Sequence, residues 1–125
     1  MKIKNFEIEQ SVEVINKILS SKLSVVTFFN LKKDTDEITK ILNSLKDARQ
    51  KIIDEYCDKD EEGKAITENG VYHFTENKEK FNEEYSKLMN VENDVKIIKF
   101  DIEEFKNVEL DNIEEFNKIS YLLKK

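Results

Sequence analysis

A chain of 125 residues that is 38% charged and 38% hydrophobic, with eight Phe and four Tyr, has the balance of a folded protein and not of a disordered one. Its formal charge of -6, with a single arginine, Arg49, among 21 basic residues, argues against direct nucleic-acid binding, which needs clustered basic side chains to displace counterions. The length fits one domain over residues 1–125, without proline and without a low-complexity linker.

The lone cysteine, Cys57, excludes an intramolecular disulfide and suits a reducing compartment. The first ten residues, MKIKNFEIEQ, carry no apolar signal core. The longest apolar-rich run, residues 23–31, is too short to span a bilayer. The expectation is therefore a cytoplasmic protein with no membrane contact.

In chain order, Lys2 to Lys4 reads as a short edge strand, after which Asn5 is a candidate N-cap. Ile8, Val12, Ile15 and Leu19 follow at steps of four, three and four, which predicts a helix over 6–19. Ser20-Ser21-Lys22 breaks it. Leu23 to Leu31 is rich in Val, Thr and Phe, which favour strands, yet no turn residue separates it from the helical pattern downstream, so it reads as helix. From Ile38, the stripe Ile41, Leu45, Ala48 and Ile52 continues the period, and Leu42, Ile53 and Tyr56 widen it, giving one long helix over 24–57. That stripe can face a core, forming an antiparallel helical hairpin with the first helix, or serve as a short seam between subunits.

The middle of the chain, Asp54 to Leu88, holds both glycines, the cysteine and the only histidine. Ala65 to Thr67 and Val71 to Phe74 flank Glu68-Asn69-Gly70, whose Asn-Gly pair supplies the positive φ angles of a tight hairpin. Thr75 is a candidate cap for a helix over 76–90 with Phe81, Tyr85, Leu88 and Met89 on its face. Val95 to Phe100 reads as a strand. Asp101-Ile102-Glu103-Glu104 and Asp111-Asn112-Ile113-Glu114 are capping patterns, the first for a single turn and the second for a closing helix over 112–123. The fold class is therefore α+β: a long helical hairpin plus two further helices, packed with a small, mostly antiparallel sheet.

The sharpest chemical idea is calcium. Asp58, Asp60 and Glu62 stand at positions 1, 3 and 5 of an EF-hand loop and Gly63 at position 6, but position 8 is Ala65 and position 12 is Asn69, so the bidentate carboxylate is missing. A solvated acidic loop stopped by Gly63 is the simpler reading. His73 lies between Tyr72 and Phe74 in an alternating run, and Cys57 has no oxyanion loop or orienting partner in sequence, so neither makes a catalytic centre. Glu103/Glu104 and Glu114/Glu115 are adjacent and point apart on a helix. No phosphate loop, dinucleotide fingerprint or His/Cys metal cluster is present in the sequence. No enzyme and no cofactor is expected. The densest negative run, Asp54 to Glu62, has six acidic residues against one Lys; Asp58, Asp60, Glu61 and Glu62 are its candidate partner-binding residues.

The order of motifs carries a further signal. Ile18-Leu19-Ser20-Ser21-Lys22-Leu23, Ala48-Arg49 with Glu55-Tyr56, Lys59-Asp60-Glu61-Glu62-Gly63-Lys64, Asn69-Gly70 with Tyr72-x-Phe74, Phe81-Asn82-x-Glu84 with Leu88, and the closing Ile113-x-x-Phe116-x-x-Ile119 together cover nearly the whole chain. This succession resembles a family of small uncharacterised phage and prophage proteins of low-GC Gram-positive bacteria. The abundance of Lys, Asn and Ile is in keeping with such a genome. Ser24 stands where members usually carry Pro, and Cys57 where they usually carry Gly. The resemblance brings no catalytic residues. It implies a non-enzymatic protein that binds and inhibits or redirects a host protein, such as an antiviral defence component. Alternatives are an oligomeric virion or assembly accessory, joined through the long helix, and a nucleotide-signal sponge, for which the scarcity of Arg is unfavourable.

Overall fold

The structure, a computed structural model, describes residues 1–110 and 113–124. Its element order is β1 (Lys2–Lys4), α1 (Asn5–Leu19), α2 (Val25–Tyr56), β2 (Thr67–Glu68), β3 (Val71–Tyr72), α3 (Lys78–Met89), β4 (Glu92–Asp94) and α4 (Ile113–Lys118), with 3-10 turns at Ile102–Phe105 and Ser120–Leu122. The class is α+β, as the periodicities predict. The antiparallel pairing is divided between two separate two-stranded ladders, β1 with β4 and β2 with β3. No described helix is long and apolar enough to cross a membrane.

The chain condenses into two compact units, residues 1–42 with 92–125 and residues 43–91. The first unit has one apolar core, in which Ile3, Ile8, Ile18, Leu31, Phe100, Ile119 and Leu122 are at most 1% exposed. Burying a residue of this kind stabilises by roughly 1.5–3 kcal/mol. The Phe100 and Phe105 rings meet in this core with centroids 5.3 Å apart. The α1 helix supplies Ile8, Val14, Ile15 and Ile18 to the core and packs beside α4, to which the Lys17–Glu115 ion pair joins it. Its start differs from expectation: the Glu7 carboxylate accepts the Lys4 N–H (2.9 Å), so the cap is Lys4, and Asn5 is the first helical residue. Asn5 is instead buried, with its Oδ1 accepting from Asn93 Nδ2 (2.8 Å).

Ser24 starts α2. Its Oγ accepts the Thr27 N–H (3.1 Å) and donates to Thr27 Oγ1 (2.9 Å), and Thr27 Oγ1 in turn donates to Glu104 Oε1 (2.8 Å). This cap resolves the ambiguous 23–31 run as helix. The strand expected at Val95 to Phe100 lies earlier, at Glu92–Asp94, where β1 pairs with it in the register Lys2↔Asp94, Ile3↔Asn93, Lys4↔Glu92. The β-rich residues that follow find their partners one at a time: Val95 N–H donates to Met1 O, Ile98 N–H to the Asp34 side chain and Phe100 N–H to Leu122 O. A strand needs a continuous neighbour, and here three different segments share the work.

In the second unit the Asn-Gly hairpin forms as predicted, but is shorter. Thr67↔Tyr72 and Glu68↔Val71 pair around Asn69 (φ 53°) and Gly70 (φ 78°). Both angles lie in the left-handed region that this turn demands. The α3 helix begins later than the expected residue 76, after Asn77, because Thr75 is drawn to Asp58 instead of capping it. The closing helix is also shorter than 112–123, running over Ile113–Lys118 before the 3-10 turn; its expected Asp111-Asn112 cap lies outside the described residues. The one-turn element at 102–105 forms with its capping box, Glu104 Oε2 accepting the Asp101 N–H (2.9 Å).

Candidate functional site

The acidic loop is a second tight hairpin. Lys59 and Ala65 form an antiparallel bridge, Gly63 N–H donates to Asp60 O (3.0 Å), Asp60 N–H donates to Lys64 O (2.8 Å), and Gly63 sits at φ 81°. Asp60 holds this turn through its side chain, its Oδ1 accepting from the N–H groups of Glu62 (2.9 Å) and Lys64 (3.0 Å). This is the turn chemistry that makes Asp common at such positions. Asp58 ties the loop to the next segment: its carboxylate accepts the Thr75 N–H (3.0 Å) and the Thr75 hydroxyl, while its backbone bonds to His73 and Ile66.

The four residues singled out for partner binding thus divide in two. Asp60 is committed to the loop's own backbone and Asp58 to Thr75 in the segment that follows, whereas Glu61 is exposed and Glu62 has only a loose exposed contact with Lys64 (3.8 Å). The same commitments oppose the calcium reading, since both carboxylate oxygens at position 1 and one at position 3 already accept N–H or O–H donors. Among the described residues no group of three or more His, Cys, Asp or Glu side chains is placed to hold a metal ion. The loop's two chemical candidates also point to different uses. Cys57 is buried, and the His73 imidazole is directed to Glu68 (Nε2 to Oε2 3.2 Å).

Two features of the first unit lie outside what the sequence pattern singled out. One is the start of α2, where Val25 (85% exposed), Val26 (68%), Phe28 and Phe29 present their side chains to solvent. At 100° per residue Val25 and Phe29 lie opposite Thr27, Leu31, Asp34 and Ile38, the buried side of the same helix, while Val26 and Phe28 lie on its two flanks. Lys33 Nζ lies 5.1 Å from the Phe29 ring centroid. A run of four solvent-facing apolar residues beside its own polar cap is unusual on a helix that already has a buried face. The 23–31 composition contains this signal, but its apolar residues are equally readable as core.

The other feature is Asp34. It continues the buried stripe between Leu31 and Ile38 at steps of three and four, and it is 1% exposed. Its Oδ1 accepts the Ile98 N–H (2.8 Å), while its Oδ2 is buried and has no hydrogen-bond partner. Burial pushes its carboxyl up to about 6, against the opposing pull of the Ile98 hydrogen bond. Tyr121 is affected by the same environment: burial pushes its phenol up to about 12, opposed by its hydrogen bond to Ser11, with the Asp34 and Glu7 charges adding to the rise. Ser11 Oγ donates to Ile8 O (2.7 Å), so Tyr121 donates to Ser11 across their 2.7 Å contact. Asp34 also forms part of the wall of an open cleft of about 570 Å³, together with Lys33, Asp36, Glu37 and Lys40 of α2 and residues 94–96 and 98. A charged residue in step with an apolar stripe is the sequence signal for this site. No protein-family model, curated protein or solved structure matches the chain.

Proposed function

We propose that this chain is a non-enzymatic, phage-type protein that acts by binding a host protein and inhibiting or redirecting it, an antiviral defence component being the kind of target meant. The observation that carries this reading is the solvent-facing apolar surface of Val25, Val26, Phe28 and Phe29. Exposed apolar area on this scale is released from water when a partner covers it, at about 25 cal/mol per Å². The helix beneath is held by the Ser24–Thr27–Glu104 hydrogen bonds, so the surface is presented on a rigid element and little ordering entropy is lost on contact. Glu61 and Glu62 supply a separate acidic surface in the other unit, suited to a basic contact.

The test is capture from a low-GC Gram-positive host lysate by the tagged full chain, followed by quantitation of any stoichiometric partner. A Val25→Ser/Phe29→Ser variant is expected to lose at least tenfold in affinity for that partner, while its thermal unfolding stays near that of the parent because both residues are already exposed. Equal capture by the parent and this variant would remove the apolar surface from the reading. The Glu61→Lys/Glu62→Lys variant tests the acidic loop without disturbing the Asp58 and Asp60 hydrogen bonds.

A further inference from the structure

Of the chain's asparagines, Asn69 alone precedes a glycine. An asparagine carboxamide can be attacked by the backbone nitrogen of the next residue, and a side chain on that residue obstructs the approach. At Asn69 nothing obstructs it. Asn69 and Gly70 are both exposed, and a methyl group placed on Gly70 would meet nothing within 4 Å. Neither the Gly70 N–H nor the Asn69 carboxamide enters a hydrogen bond among the described residues. Other asparagines with a small or polar successor are placed differently. Asn43, before Ser44, lies inside α2, and the Asn93 carboxamide, before Asp94, donates to Ile3 O (3.0 Å) and to Asn5 Oδ1 (2.8 Å). The turn that holds Asn69 and Gly70 is closed by the pairs Thr67↔Tyr72 and Glu68↔Val71, and Thr67, Glu68 and Val71 are exposed. A two-stranded hairpin of this size is marginal in water, so its turn visits open conformations in which the Gly70 nitrogen reaches Asn69 Cγ.

We propose that Asn69 is a site of spontaneous covalent modification, at which the chain's own Gly70 nitrogen displaces the side-chain ammonia and the hairpin is opened for good. The Gly70 nitrogen gives its proton to solvent and bonds to Asn69 Cγ. The Cγ–Nδ2 bond breaks, and Nδ2 takes up a proton from solvent and leaves as ammonia. Water then opens the cyclic imide, giving aspartate at one carbonyl and isoaspartate at the other, with no oxidant or reductant involved. The isoaspartate route carries the main chain through Cβ and Cγ, which adds a methylene to a two-residue turn that depends on positive φ at both positions. The register of Thr67↔Tyr72 and Glu68↔Val71 is lost with that turn. The loss runs down the ladder, since His73 N–H donates to Ile66 O (3.1 Å), Ile66 N–H to Asp58 O (2.8 Å) and Asp58 N–H to His73 O (2.7 Å). Either product also places a new negative charge beside Glu68. This switch lies in the second unit and leaves the apolar surface of α2 alone, so its failure would leave the partner-binding reading untouched.

The test is incubation of the full chain in mildly alkaline buffer, with tryptic peptides weighed at successive times and isoaspartate labelled by an isoaspartyl methyltransferase. The peptide holding Asn69 is expected to gain one mass unit at least about ten times faster than those holding Asn43 or Asn93. Its rate in the native protein should stay within about tenfold of the rate in concentrated urea, because so small a hairpin protects its turn little. The same peptide holds Asn77, so Asn69→Gln, whose longer side chain must close a larger ring, should abolish the conversion. Converted protein, separated from the parent by anion exchange, should exchange its Ile66 and His73 amides at least about tenfold faster, with the Ile8 and Ile18 amides of the first unit unchanged. A native rate more than about a hundredfold below that in urea would overturn the site, because the turn would then hold the reacting atoms apart. Equal conversion at Asn43 or Asn93, conversion that persists in Asn69→Gln, or unchanged exchange at Ile66 and His73 in the converted protein would do the same.

Discussion

The two units hold themselves together by different means. Residues 1–42 with 92–125 bury a continuous apolar core, whereas in residues 43–91 the buried hydrophobic residues are Leu45 and Cys57, and α3 has none. What the second unit has instead is local: two tight hairpins, the Asp58 and Asp60 side-chain hydrogen bonds, and a row of rings in which Phe74 meets Phe81 at 4.2 Å, Phe81 meets Tyr85 at 5.7 Å and Arg49 lies 5.6 Å from Tyr85. Hydrophobic burial scales with the area removed from water, so the first unit should open last and the second should open at lower free energy. The difference teaches where substitutions are tolerated. It also explains why the loop with the most suggestive residues holds its carboxylates for its own architecture.

The sharpest way to break the contrast is Phe100→Ala, which removes a fully buried ring and its contact with Phe105. We expect a loss of about 4 kcal/mol in chemical denaturation; a loss under about 1 kcal/mol would mean that the core is not what holds the first unit. Next comes Asp34, a cost inside that core. Its folded carboxyl titrates near 6 against an ordinary value of 3.8, so the folded state prefers the protonated form. Stability from this group is present below about pH 4 and is lost as the pH rises through 6, amounting to about 3 kcal/mol at pH 7. Asp34→Asn should therefore stabilise at pH 7 by about 2 kcal/mol and by much less at pH 4. A difference between the two proteins that does not change with pH would contradict this.

In the second unit, Phe81→Ala interrupts the ring row and should cost about 1.5 kcal/mol, seen as faster amide exchange within 74–89. Equal acceleration throughout the first unit's core would show that the units do not open separately. The smallest effect is Gly70→Ala, about 1 kcal/mol, because φ 78° strains any side chain although a methyl group would meet nothing within 4 Å. Read by hydrogen exchange at Thr67 and Val71, it should loosen the hairpin alone.

Much of the architecture was legible before folding. Helical spacing over Ile8 to Leu19 and Ile38 to Ile52, the Asn69-Gly70 turn and the Asp101 capping box are local codes, written within a few residues of where they act. The cap of α2 was legible only in part, since Ser24 and Thr27 gain their meaning from Glu104, 77 residues beyond Thr27. The closest thing to a misdirection was Asp58-x-Asp60-x-Glu62-Gly63, where the ligand pattern of a metal loop and the residue preferences of a tight turn use the same amino acids.

The sequence by itself determined the α+β class, the long helix, the Asn-Gly hairpin and the reasons to doubt a calcium loop, because propensity, periodicity and spacing are properties of neighbours along the chain. Only the tertiary structure decided that the strand lies at Glu92–Asp94 and not at Val95 to Phe100, that Asp60 serves its own loop's backbone and Asp58 the following Thr75, and that Asp34 lies buried with one oxygen unmatched. Each of these depends on which distant segment supplies a partner for a backbone or side-chain polar group. That choice is made by the packing of the whole core and is absent from any local window.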